Sequence, residues 1–325
     1  MIAIARIATY ALVLVFVSSL AAAEPQGRKD LPGRQVKVSA IAIGFGGKRD
    51  EKLKLALDHL ETAGRSGVDI ACLPEEFAGD DKAEPVPGPI TDAVGQVAKK
   101  HRMYVICPIR EQATDGKLYN TAVLLDREGK VAGYYPKVFA YWGEGLNVSD
   151  EGVKVFDLDF GRISILTCFD INFPELWQEA EQKGAEIVFW PSAYAGGMPL
   201  NGYAMCHNYY LVPVGKANLI DVTGQPVEPV ERPRPDQCVA TLDLDRTLVH
   251  FNFNEEKVKK LLKEHGAEVK IERQYDVESW YLLRSTKPGV LVRDLLKRFQ
   301  IEPLREYRQR SREQINQARK EGKRI

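Results

Sequence analysis

The chain has 325 residues, enough for one large α/β domain or two ordinary ones. Its 44% apolar content suits a globular core, and its 45 basic and 45 acidic residues cancel, so no global field points to nucleic acid or an anionic membrane as a partner. The five cysteines, at 72, 107, 168, 206 and 238, form no CxxC pair, which argues against a zinc ribbon or dithiol motif. The adjacent Cys206-His207 lacks ligand spacing, so no metal site is expected.

Residues 1–23 read as a secretory signal. Arg6 supplies the basic start, residues 8–17 are apolar apart from Thr9, and the small residues 18–23 offer a cleavage site after Ala23. The apolar run is short for a spanning helix, so the expectation is a periplasmic or secreted protein with no membrane association after signal cleavage. In an oxidising compartment four cysteines could pair and one would stay free. Residues 24–34 read as a polar linker, 35–253 as the main domain and 254–325 as a charged, mainly helical extension.

Residues 35–45 alternate as a strand, and 48–64 carry Leu53, Leu55, Ala56, Leu60 and Ala63 at helical spacing. A short buried strand over 69–73 ends at Pro74, a helix is predicted over 91–101 and a strand over 104–107, a rhythm of α/β layers. Two hairpins follow, 118–126 with 131–135 and 153–159 with 162–167. Helices over 175–183 and 200–208 then alternate with strands over 186–190, 209–214, 217–222 and 238–243. Amphipathic helices are predicted over 255–265 and 288–299, before a polar tail over 303–324. The apolar run Trp280-Tyr281-Leu282-Leu283 needs something to bury it, which favours an arm docked on another subunit.

The chain is organised around residues 161–175. A β-branched run ends at Cys168, breaks at Asp170-Ile171-Asn172-Phe173-Pro174 and resumes as a helix from Glu175. A strand that delivers a cysteine onto a sharp turn before a helix presents a thiol, with backbone N–H groups beside it for a developing oxyanion. Two other strand ends carry matching chemistry. Leu73-Pro74-Glu75 offers a carboxylate that can take the thiol proton and later give it to a leaving amine, and Tyr135-Pro136-Lys137 offers an ammonium for a tetrahedral intermediate. Together these three types make an acyl-transfer site without histidine.

Leu73-Pro74-Glu75-Glu76-Phe77, Tyr134-Tyr135-Pro136-Lys137 and Cys168-Phe169-Asp170-Ile171-Asn172-Phe173-Pro174-Glu175 resemble, in order and spacing, the three signature blocks of the nitrilase superfamily, the carbon–nitrogen hydrolases. The resemblance runs over about residues 36–250. It implies a four-layer α-β-β-α sandwich of the nitrilase type, assembled as a homodimer or larger oligomer. It implies Cys168 as nucleophile, Glu75 as general base and acid, Lys137 as stabiliser of the intermediate, and Glu144 as the second glutamate that orients lysine or substrate. Glu76 competes with Glu75, but the residue directly after proline matches the family pattern, so replacing Glu76 is expected to be mild. The backbone N–H of Phe169 is the implied second oxyanion donor. Asn172, Tyr141, Trp142 and Tyr194 are candidate pocket residues. The chain departs from the family in carrying Asn172 where many members have arginine, and Tyr203-Ala204-Met205-Cys206-His207 where Arg-Ala-Ile-Glu-Asn is common.

The expected function is hydrolysis of a small-molecule amide or carbamoyl group, less so a nitrile, through a cysteine thioester, with no metal or organic cofactor. Two other readings stay open: a catalytically inactive binding protein on the same fold, which a disulfide at Cys168 would favour, and a Cys-His hydrolase using one of the five histidines.

Overall fold

The computed structural model describes residues 28, 30–44, 47–79, 82–214 and 218–324. The expected signal and most of the expected linker lie outside the described residues. In chain order the elements are β1 (Gln35–Ile41), α1 (Arg49–Arg65), β2 (Ile70–Cys72), α2 (Pro89–His101), β3 (Tyr104–Gln112), β4 (Leu118–Leu125), β5 (Val131–Pro136), β6 (Val155–Leu158), β7 (Gly161–Ile165), α3 (Pro174–Gln182), β8 (Ile187–Pro191), α4 (Met198–His207), β9 (Tyr210–Val214), β10 (Glu231–Arg234) and β11 (Gln237–Asp243).

The strands form a seven-stranded sheet, β10-β11-β1-β2-β3-β4-β5, and a four-stranded sheet, β6-β7-β8-β9. Period-two alternation gives the larger sheet two apolar faces. One face, with Ile41, Ala71 and Val123, packs on Leu60 of α1 and Val94 of α2. The other, with Val38, Ile106 and Leu124, packs on Ile163 and Ile187 of the smaller sheet, and this core continues to Trp177 of α3 and Leu200 of α4. The layers therefore run α-β-β-α, the expected sandwich. β2 is parallel to β3, while β4 is antiparallel to β3 and β5, so the ends of β2 and β5 and the start of β4 share one edge. The loops after β7 and β8 complete that edge.

One predicted strand does not form. Residues 215–217 are outside the described residues, and Ile220 makes isolated bridges to Leu211 and Pro226. Asp221 Oδ1 accepts from the N–H groups of Thr223 and Gln225, at 2.9 and 3.1 Å, and this turn takes the chain out of any ladder.

The chain continues as β12 (Thr247–His250), α5 (Glu255–His265), β13 (Val269–Tyr275), β14 (Trp280–Ser285), α6 (Val292–Arg298) and α7 (Leu304–Glu321). The extension thus holds strands as well as helices, and β12-β14-β13 make a third, antiparallel sheet. Tyr281 and Leu283 are buried with Val249, Val258, Leu261 and Val269, while Leu282 joins the main core. The apolar run that suggested an arm on another subunit is buried within its own chain. The start of α7 is tied to the sandwich as well. Arg305 donates to the carbonyls of His207 and Ala185, at 2.7 and 2.8 Å. Arg308 donates to the Cys206 carbonyl at 2.6 Å and lies 5.5 Å over the Trp280 ring.

Leu283 is fully buried in this second core. Leu283→Ala is expected to remove about 3 kcal/mol of stability, read as a lower midpoint in urea unfolding; an unchanged midpoint would mean that the three-stranded sheet does not unfold with the rest.

Candidate active site

The edge where the strand ends meet holds the three chemically distinct side chains. Glu75 lies three residues past β2, Lys137 directly follows β5, and Cys168 lies three residues past β7. Cys168 opens a 3-10 turn over Cys168–Asn172, and Pro174 then starts α3. Its φ of +43° is a left-handed conformation that costs a non-glycine residue about 1 kcal/mol or more. Three side chains donate to carbonyls of the turn: Trp190 Nε1 to that of Cys168 at 3.1 Å, Trp177 Nε1 to that of Asp170 at 3.1 Å, and Tyr203 Oη to that of Ile171 at 2.8 Å. The first N–H groups of such a turn, that of Phe169 included, have no partner within the turn itself.

Asp170, quoted in the cysteine block without a role, proves to be a hub. Its buried carboxylate accepts from Thr167 N and Tyr135 Oη at 2.8 Å and from Phe139 N at 3.0 Å, joining the cysteine turn to the lysine strand. Burial pushes its pKa up to about 6, against the pull of these donors.

Lys137 is 1% exposed and sits behind the wall of the cleft. Its ammonium donates to Glu75 Oε1 at 2.9 Å and to Glu144 Oε1 at 2.8 Å. Burial works against the charged form, but the two carboxylates and Cys168 outweigh it and hold the lysine above its ordinary value. Glu144 Oε1 also accepts from Tyr141 N at 3.1 Å; its Oε2 is buried with no hydrogen-bond partner among the described residues. Glu75 Oε1 takes a second donor, Asn120 Nδ2 at 2.8 Å, and Oε2 accepts from Ala193 N at 3.1 Å. Burial, and then the nearby Glu75 carboxylate, push the Cys168 thiol up to about 12, with Lys137 and Ser192 pulling the other way, so the thiol is neutral at rest.

These groups face a cleft of about 990 Å³. Glu75, Glu144, Cys168 and Phe169 line it, together with three of the four candidate pocket residues, Asn172, Tyr141 and Tyr194. Trp142 does not: it is 94% exposed and absent from the lining. Tyr141 packs edge-on against Phe169, with centroids 5.5 Å apart, whereas Trp142 stands at the corner of the turn closed by Glu144 N to the Tyr141 carbonyl at 3.1 Å. None of the five histidines lines the cleft, which removes the Cys-His reading; His59, His101, His207 and His265 each contact a carboxylate elsewhere. All five cysteines are free, Cys168 among them.

Sequence reasoning missed Asn120, Arg110, Ser192 and the N–H of Ala193. A signal existed for the first two, since Arg110 and Asn120 put polar side chains on the inter-sheet face shared by Ile106 and Ala122. Ala193 N could not be foreseen, because a backbone donor leaves no mark in a sequence.

A family model, carbon–nitrogen hydrolase, matches residues 38–247. The chain belongs to the carbon–nitrogen hydrolase family. Among curated relatives of this hydrolase, beta-ureidopropionase of Arabidopsis thaliana is 35% identical over 169 residues, 45% of this chain and 40% of the relative. Omega-amidase NIT2 of Bos taurus is 29% identical over 176 residues, 49% of this chain and 63% of the relative. The hydrolase therefore spans less than two thirds of either relative in these matches. Saccharomyces cerevisiae Nit3, a member of branch 10 of the nitrilase superfamily, shares the fold with a TM-score of 0.58 at 20% identity, over 65% of this chain and 91% of that one. An amidase from Nesterenkonia sp. shares it at 0.56 and 19%, over 65% and 91%.

Glu76 follows Glu75 at a φ of +40°, and its carboxylate accepts from Arg110 Nε at 2.8 Å, with both side chains largely buried. The mild effect expected from the sequence concerns turnover; the ion pair with Arg110 gives Glu76 a structural role beside it. Glu76→Gln is expected to cost about 3 kcal/mol, read by urea unfolding, and an unaltered midpoint would show the pair to be energetically idle.

Proposed function

We propose that this hydrolase cleaves a non-peptide carbon–nitrogen bond of a small amide or carbamoyl compound, with a nitrile the less favoured substrate. Cys168 is the nucleophile, Glu75 the proton carrier, and Lys137 and Glu144 the groups that support them. The observation that carries this reading is the convergence of Glu75 and Cys168 on one cleft, with one buried lysine bridging Glu75 and Glu144. The names of the curated relatives favour the amide and carbamoyl classes.

A thiol with a pKa of about 12 is a poor nucleophile at neutral pH, so its proton must leave as the sulfur attacks. Glu75 takes that proton while the S–C bond forms and the carbonyl oxygen gains the negative charge. The Phe169 N–H and the positive charge of Lys137 stabilise that oxygen. The intermediate collapses with cleavage of the C–N bond, and Glu75 gives its proton to the departing amine, leaving a thioester. Water then attacks, Glu75 accepts its proton, the C–S bond breaks and the acid departs as the thiol is restored. Glu144 Oε2, buried and without a partner among the described residues, is an acceptor for a substrate N–H. Tyr141, Tyr194 and Asn172 shape the cleft around the rest of the substrate.

Export and assembly belong to the same proposal. The basic, apolar and small-residue order of residues 1–23 supports a cleaved signal and a periplasmic or secreted enzyme. The family resemblance supports a homodimer or larger oligomer. N-terminal sequencing of the mature protein should begin at Glu24; an intact Met1 would overturn the cleavage.

Cys168→Ala should abolish ammonia release from a panel of primary amides and N-carbamoyl compounds, and Glu75→Gln should lower it by roughly 10³-fold. Turnover that survives in Cys168→Ala would end the thioester reading.

A further inference from the structure

Asn120 is the third residue of β4 and only 2% exposed. It shares its face with Ala122 and Leu124, which are core residues between the two sheets. A primary amide there is costly unless it is used. Its Nδ2 donates to Glu75 Oε1 at 2.8 Å, while its Oδ1 is buried without a partner among the described residues. The Asn120 backbone carbonyl also accepts from Lys137 N at 2.8 Å, so one residue touches both the carboxylate and the strand end that carries the ammonium.

The other strand of the same rung repeats the arrangement. Asn120 is the cross-strand partner of Arg110, and Arg110 donates to Glu76. Two adjacent positions of the β3–β4 pair thus hold two consecutive glutamates. The sequence of the turn, Pro74-Glu75-Glu76 with a left-handed Glu76, does not by itself fix where the Glu75 carboxylate points. Three donors do: Asn120 Nδ2 and Lys137 Nζ on one oxygen, Ala193 N on the other.

We infer that Asn120 is a positioning residue for this reaction: its amide fixes the Glu75 carboxylate in the place from which it accepts the thiol proton. The inference rests on the reading of Glu75 as proton carrier. The orphaned Oδ1 fits this role, because an amide turned to spend both ends on protein partners would give up the donor aimed at Glu75. Lys137, Asn120 and Ala193 N bond Glu75 directly; Cys168, Glu76 and Tyr194 also feel its charge. Among these, Asn120 is the neutral side-chain donor, so replacing it removes a hydrogen bond to the charged form without removing a formal charge.

The test needs no substrate. Cys168 is alkylated with iodoacetamide from pH 4 to 10, and its rate is followed by peptide mass mapping on the full chain. In the wild type the rate should rise along an acidic limb as the Glu75–Cys168 pair loses its first proton. Asn120→Leu should move the midpoint of that limb up by about one pH unit. Asn120→Asp, which keeps the shape and so guards against a variant that fails to fold, should move it in the same direction, because it removes the donor and adds a like charge. A packing role alone would change the rate at all pH values alike. Glu75→Gln separates the two claims. If it keeps the wild-type limb, Glu75 is not the proton acceptor and the functional reading fails. If it abolishes the limb while both Asn120 variants leave the midpoint in place, only the role of Asn120 is overturned.

Discussion

The buried ammonium of Lys137 is the constraint around which the site is built. Taking an ammonium out of water costs several kcal/mol, and it is tolerated only where opposite charge and hydrogen bonds replace the solvent. Glu75 and Glu144 supply both, each within 2.9 Å of the same nitrogen. With the lysine so held, neither carboxylate is free to swing, and Glu75 meets the thiol from a fixed direction. Burial, and then the adjacent Glu75 carboxylate, push the Cys168 thiol up against the pull of that same ammonium.

The sandwich makes this possible by bringing strand ends from both sheets to one edge. Glu75, Asn120 and Lys137 come from the seven-stranded sheet, and Cys168 and Ala193 from loops of the four-stranded one. The core between the sheets therefore sets the distance between the Glu75 carboxylate and the Cys168 thiol. Asp170 stitches the two sheets together at this point, bonding Thr167 on one side and Tyr135 and Phe139 on the other. A shift in sheet packing would be felt as a misplaced thiol. The strain at Cys168 and Glu76, both left-handed, sits where this network is densest.

The C-terminal unit lies beyond the part of the chain that the family model covers. Its own small core and its anchors on the sandwich make it a part of the molecule and not a tail. The Asp245 carboxylate accepts from the N–H groups of Val292 and Arg293 at the start of α6, at 2.5 and 3.4 Å, so a side chain of the segment leaving the sandwich caps a helix of the added unit. Arg305, buried against the carbonyls of His207 and Ala185, ties α7 to the end of α4.

Local pattern was enough for most elements of the sandwich, because apolar period and turn residues are short-range properties of the chain, though not for β10 or for the turn at Asp221. It was also enough to nominate Glu75, Lys137 and Cys168, whose residue types and strand-end positions are legible one segment at a time. It could not reach what depends on segments far apart in sequence. β13 alternates only over Val269-Lys270-Ile271 before three polar residues, Glu272, Arg273 and Gln274, and its pairing with β14 holds it as a strand. Trp280–Leu283 looked unpartnered because its partners, Val249, Val258 and Leu261, lie some twenty or more residues earlier in the chain. Tyr141 and Trp142 were equivalent in the sequence, but Tyr141 lines the cleft and Trp142, at the corner of the turn that Glu144 N closes on the Tyr141 carbonyl, faces solvent. The sequence by itself determined which chemical groups are available and on which kind of element each one stands. The tertiary structure alone decided which of them meet, since hydrogen bonds such as Asn120 to Glu75 and Ala193 to Glu75 span 45 and 118 residues and exist only once the two sheets have packed.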